Sequence, residues 1–143
     1  MINFFNEDID FKLQQKNNYK SWLKKVADKE GFKVKDLNYI FCSDVYLHKI
    51  NVDYLDHDTF TDIITFDNSE DEITIEGDIF VSIERVRENS YTLKTVFDEE
   101  LKRVIVHGLL HLCGYDDHSV EDKAEMRRLE GETIGCFPVK NNQ

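Results

Sequence analysis

The chain has 143 residues, with 18 Lys+Arg against 29 Asp+Glu and a formal net charge of -11. A hydrophobic fraction of 41% supports one domain over residues 1–143 with a real core, argues against disorder, and comes without an apolar run near the roughly 20 residues of a bilayer span. This acidic balance excludes capture of nucleic acid by a broad basic surface, so an RNA role must rest on a local basic cleft, a metal ion or a partner.

The N-terminal Met1-Ile2-Asn3-Phe4-Phe5 has no basic n-region, and Cys42, Cys113 and Cys136 show no CxxC spacing. A cytoplasmic protein with free thiols is the expectation, with no membrane or DNA partner. Ile2-Asn3-Phe4-Phe5 reads as a first strand. Asn17 or Asn18 then caps a helix running to about Glu30, with Trp22, Leu23 and Val26 inward and Gly31 as its stop. Leu37 to Cys42 is strand-like, and Ser43 or Asp44 opens a helix carrying Val45, Leu47, His48 and Ile50. Thr61 to Phe66 is β-branched and apolar enough for a buried strand, and Asp67 to Asp71 is a polar turn. Ile73 to Ser82 forms a hairpin arm or one long strand bent near Gly77. Asp98, Glu99 and Glu100 suit a helix N-terminus, after which Leu101, Val104, Ile105, Leu109 and Leu112 recur at helical spacing up to a stop at Gly114. Ser119 precedes Asp122 by three and caps a last helix with Met126 and Leu129. The predicted class is α+β: a mixed four-stranded sheet packed with helices.

Chemistry concentrates in Val106 to His118. His107 and His111 stand four apart, so on a helix their imidazoles leave one face about 6 Å apart at the root. Gly114 lets the chain double back and bring Asp117 or His118 to the same point. Three protein donors with a fourth position open define a catalytic zinc site, and a divalent ion held so acidifies the water it binds. In zinc proteases a Glu general base follows the first His of such a helix. Here that position is Gly108, which disfavours peptide hydrolysis.

His107-Gly108-Leu109-Leu110-His111-Leu112-Cys113-Gly114-Tyr115-Asp116 resembles the signature of the YbeY endoribonuclease family, whose members mature ribosomal RNA. Asn51, Tyr54 and Asp58 followed by Thr61 to Phe66, the Gly77-Asp78-Ile79 strand, and Glu125-Met126 with Glu130 resemble further family segments in the same order, over roughly residues 36 to 130. Two positions depart from the pattern. The third metal-binding His of the family falls on Asp117, with His118 one place late, so Asp117 in register is the expected ligand and His118, which needs a bulged turn, the alternative. The family Arg thought to help handle RNA falls on Leu55, so its role would pass to another cation, among which His57 in the same loop comes before His48, Lys49 and Arg85.

The resemblance implies a metal-dependent single-strand endoribonuclease acting in small-subunit ribosomal RNA 3′-end processing and ribosome quality control. Its one divalent ion, zinc first, would be held by His107, His111 and Asp117, the two histidines also serving catalysis. Expected RNA-contacting residues are His57, Asp62 and Tyr115, and expected partners are precursor ribosomal RNA and the small subunit or its proteins. Asp62 and Asp78 either line the cleft, orient a metal-bound histidine through its second nitrogen, or satisfy strand ends. A non-catalytic ribosome assembly factor with a structural metal is the alternative that the acidic surface and Leu55 favour.

Overall fold

In the computed structural model, which describes residues 1–57 and 59–138, nine elements follow one another. They are β1 (Ile2–Asn6), α1 (Lys16–Lys29), β2 (Lys33–Cys42), α2 (Asp44–Leu55), β3 (Ile63–Asp67), β4 (Thr74–Ser82), α3 (Ile83–Thr92), α4 (Phe97–Leu112) and α5 (Val120–Gly135). The expected α+β class with a mixed four-stranded sheet is the observed one. Its strand order is β1-β2-β4-β3, with β1, β2 and β4 parallel and β3 antiparallel at the edge.

Strand alternation sends two different sets of side chains to the two faces. Leu37, Tyr39 and Phe41 of β2 and Ile75, Ile79 and Val81 of β4 are all buried on one face. That face carries the main core together with Trp22 and Leu23 of α1 and Ile105 and Leu109 of α4. Within it, the Tyr39 hydroxyl donates to the Ile105 carbonyl at 2.8 Å, and burial drives that phenol far above its ordinary range. The opposite face is half apolar, where Leu47 of α2 covers Ile64, Phe66 and Phe80. Its other half is a polar ladder in which Asn3 donates to Asn38, and Asn38 to Asp78, each at 3.0 Å. Asp78 therefore lies in this ladder, on the face away from α4, and does not orient a histidine of that helix. Register decides this: Asp78 pairs with Asn38, between the core-facing Gly77 and Ile79.

Gly77 marks a close approach rather than a bend, since β4 runs unbroken through it. A Cβ there would come within 2.5 Å of the Phe66 carbonyl oxygen. The first helix is capped differently from the expectation. Gln15, in the left-handed region with φ 58°, precedes the first turn, while Asn17 and Asn18 lie inside it and Asn18 donates to the Gln15 side chain at 2.9 Å. At its far end the expected stop holds: Gly31 has φ 87° and Phe32 N–H returns to the Ala27 carbonyl. Of the two caps offered for α2, Ser43 does the capping, accepting from Tyr46 N–H at 3.1 Å. Helix α3 has no counterpart in the sequence expectation. It follows β4 without a break, opened only by the Ser82 hydroxyl accepting from Arg85 N–H.

Candidate metal centre

Helix α4 is laid against the sheet by its apolar face, and Gly108 sets how close it comes. A Cβ on Gly108 would stand 3.0 Å from both Ile63 Cδ1 and Ile79 Cδ1. A side chain at the place of a protease-type general base would thus crowd these two isoleucines, and the glycine lets the helix that carries His107 pack close under edge strand β3. After Leu112 the helix unwinds. Gly114 adopts φ 101°, its N–H reaching the His111 carbonyl and Tyr115 N–H reaching that of Leu110. The Tyr115 hydroxyl then donates to Glu30 Oε1 at 2.6 Å, pinning the returning chain to the end of α1. That bond, with burial and the Glu30 charge, pushes the phenol up to about 12.

The bend carries Asp117 back over the helix. Its Oδ2 lies 3.5 Å from His107 Nε2 and 3.6 Å from His111 Nε2, and the two imidazole rings stand 4.5 Å apart and nearly perpendicular. One ligand atom from each of the three residues lies within 4.8 Å of the others, a group that could hold a metal ion. Donors about 2 Å from a tetrahedral ion sit about 3.3 Å from one another, so the donor set and spacing fit a small divalent cation. His118, the alternative donor, is exposed and outside the group.

Beneath this cluster lies a charged underpinning from α5. Glu130, buried among Met126 and Leu129, places Oε2 2.6 Å from His107 Nδ1. A carboxylate there accepts a hydrogen bond from Nδ1–H, which leaves the Nε2 lone pair turned toward Asp117. Burial works to lower the His107 pKa, but the hydrogen bond and charge of Glu130, with Asp117 and Asp62, outweigh it and hold the imidazole above its usual value. The other Glu130 oxygen receives Arg103 Nη1 at 3.3 Å, and Arg103 also faces Glu100 at 3.8 Å. Glu100 is 4% exposed, its Oε1 has no hydrogen-bond partner among the described residues, and burial pushes its carboxyl up despite Arg103.

A cavity of about 260 Å³ opens beside His107 and Asp117, walled by Asp62, Glu100, Glu130 and Arg103. Asp62 thus lines the cleft, and its Oδ2 accepts from Asn89 of α3 at 3.2 Å. Burial raises its carboxyl, partly offset by His107. Histidine orientation falls to Glu130 instead. The other two expected RNA contacts stand apart from this cavity. The Tyr115 hydroxyl is tied to Glu30, and the exposed His57 follows α2 with its backbone N–H on the Asn51 carbonyl. Asp58 lies outside the described residues. Arg85 is held by Asp44 at 2.7 Å and Glu88 at 3.6 Å with Phe60 5.5 Å beneath it, His48 stacks on that same ring, and Lys49 is exposed.

Sequence reasoning read Glu100 only as an acid suited to a helix N-terminus, assigned no role to Arg103, and noted Glu130 only as fitting the last helix. One signal was available. Glu130 stands four after Met126 and next to Leu129 on the apolar stripe of α5, and an acid at a core position demands a partner.

Fold and site together define an α+β protein that presents, beneath an antiparallel edge strand, a helix-borne His-x3-His pair completed by a carboxylate from the following turn. The family model described as Endoribonuclease YbeY matches residues 1–137, and the chain belongs to that family. A protein of Christiangramia forsetii named Endoribonuclease YbeY is 50% identical over 139 residues, which are 97% of this chain and 96% of that protein. A protein of the same name from Cytophaga hutchinsonii is 50% identical over 133 residues, 93% of each chain. The solution structure of a Thermotoga maritima protein superposes with a TM-score of 0.65 at 25% identity, covering 100% of this chain and 99% of the other.

Proposed function

We propose that the protein is a metal-dependent endoribonuclease that cuts single-stranded segments of precursor ribosomal RNA in the cytoplasm. It would act in small-subunit 3′-end maturation and ribosome quality control, in contact with the small subunit or its proteins. The observation that carries this is the convergence of His107 Nε2, His111 Nε2 and Asp117 Oδ2 beside an open cavity, in a chain whose relatives are named endoribonucleases.

Zinc is the ion proposed, since two imidazoles and one carboxylate suit it. When bound there, a divalent ion supplies Lewis-acid polarisation of a phosphoryl oxygen and acidifies water. The chain's own residues do the rest. Glu130 holds the His107 tautomer, Arg103 holds Glu130, and Tyr115 with Glu30 holds the turn that presents Asp117. Asp62, at the cavity wall with its carboxyl raised by burial, would exchange a proton with a reacting oxygen.

Labelled single-stranded RNA incubated with purified protein, with and without chelator and in the His107→Ala variant, tests the reading. Cleavage that is abolished by chelation, restored by zinc and absent from the variant is expected. Retained binding to small ribosomal subunits with no cleavage by metal-loaded protein would instead establish an assembly factor whose metal is structural.

A further inference from the structure

We infer that Arg127, with Lys123 one turn earlier on α5, seats the RNA phosphate backbone at the metal site. The inference rests on the endoribonuclease reading above. Two adjoining cavities, of about 260 and 320 Å³, share His107, Asp117, Glu130 and Arg127 as walls, and Lys123 lines the second. Lys123, Met126, Arg127 and Glu130 recur at helical spacing and form one face of α5. Met126 and Glu130 are buried inside that face, whereas Lys123 and Arg127 are exposed at its outer side. The helix therefore offers a carboxylate inward to His107 and two cations outward to whatever enters the cavity.

Charge favours such cations beside the ion. The protein carries a net -11, and the cavity wall near the histidines is formed by Asp62, Glu100, Asp117 and Glu130. A polyanion is repelled by this wall unless something offsets it. Arg103 does not serve, because Glu130 and Glu100 both hold it. Arg85 is occupied by Asp44 and Glu88. Arg127 forms no hydrogen bond and no ion pair within 4 Å among the described residues, interacts with Glu100 only through its charge, as the last of that carboxyl's influences, and walls both cavities. Its guanidinium offers two parallel donors to one phosphate, a geometry that a lysine does not reproduce. Lys123, less directional, suits an adjacent phosphate.

A fluorescent single-stranded RNA titrated with metal-free protein over a range of salt concentrations reads the contact without catalysis. Arg127→Ala should weaken binding about tenfold at low salt and reduce the slope of log K against log salt by about 0.7, the value for one lost phosphate contact on a single strand. Lys123→Ala should give a smaller loss of the same kind, and Arg127→Lys should recover the slope but only part of the affinity. In metal-loaded protein Arg127→Ala should raise KM about tenfold with kcat within about threefold, at unchanged zinc content and thermal midpoint. Arg128→Ala is the control, since Arg128 is held by Glu125 and Glu132 on the exposed side of the same helix. Wild-type cleavage with Arg127→Ala indistinguishable in affinity, salt slope and KM overturns the assignment while leaving the nuclease reading intact. An equal loss in Arg128→Ala overturns it too, by showing bulk charge rather than a seat. Wild-type protein that neither binds nor cleaves RNA removes the functional reading, and this assignment with it.

Discussion

Replacing Glu130 isolates the contribution of the carboxylate behind the metal site. The wild-type contact is a 2.6 Å hydrogen bond to His107 Nδ1 from a side chain that is almost wholly buried. Removing such a partner from a metal-ligating histidine costs about 10–100-fold in metal affinity, or about 1.4–2.7 kcal/mol. Glu130→Gln keeps an oxygen able to accept the Nδ1 proton and loses only the charge, so its loss should lie near tenfold. Glu130→Ala loses orientation as well and should approach a hundredfold. Arg103 retains Glu100 at 3.8 Å, so both variants should fold, as circular dichroism and a thermal melt would show. Zinc competition against a chromophoric chelator at pH 7.5 gives the affinities.

The same variants shift the pH dependence of zinc binding. A proton and a metal ion compete for the Nε2 lone pair, so affinity falls as pH drops through the His107 pKa. In wild type that decline begins above the ordinary 6.5, because Glu130 outweighs burial. With Gln at 130 the burial effect is left less opposed, and the decline should move to lower pH. Zinc affinity in Glu130→Ala within twofold of wild type, with the same pH profile, would refute the account of how His107 is held.

Asp117→Ala should weaken zinc binding at least tenfold while His118→Ala leaves the stoichiometry at one; metal analysis of the two, side by side, reverses the ligand assignment if only the His118 change empties the site. Gly77→Ala should lower stability by about 1–3 kcal/mol in urea unfolding, because the added Cβ meets the Phe66 carbonyl at 2.5 Å and backbone must yield. Glu100→Gln should change the thermal stability of metal-free protein in a pH-dependent way. Burial raises the folded-state carboxyl of Glu100, so the folded state binds that proton more tightly, and the stability this lends is lost as pH rises from the ordinary 4.5 of the unfolded chain through the raised folded value. The difference in Tm, variant minus wild type, should therefore be more positive at pH 8 than at pH 5; a difference independent of pH would show that Glu100 carries no such burden.

Most of the fold could be read because its signals are local. Ser43, Ser119, Gly31 and Gly114 punctuate the chain by mechanisms that act within a few residues, and the apolar spacing of α4 is long and regular. The histidine pair and the bend after it were legible for the same reason. What escaped depends on contacts distant in sequence. Helix α3 starts directly from β4 with one serine as its only signal, and Gly77 reads as a bend until its neighbour strand is in place. Asp62 and Asp78 look alike as acids beside apolar strands, yet sheet register and strand alternation send one into the metal-side cavity and the other into an amide ladder on the far face. Glu130 lies 23 residues beyond His107, so its role follows only from how α5 docks on α4.

The donors of the candidate metal centre sit on α4 and the turn after it, and the carboxylate that holds His107 sits on α5, so the pocket has no local scaffold of its own. Fraying of the C-terminal helix would withdraw Glu130 and loosen Asp117 in one event, and a loaded site would oppose that fraying by mass action. Amide hydrogen exchange across residues 120 to 135 is thereby linked to metal supply. Without a bound ion this helix would open more readily and offer proteases a place to begin.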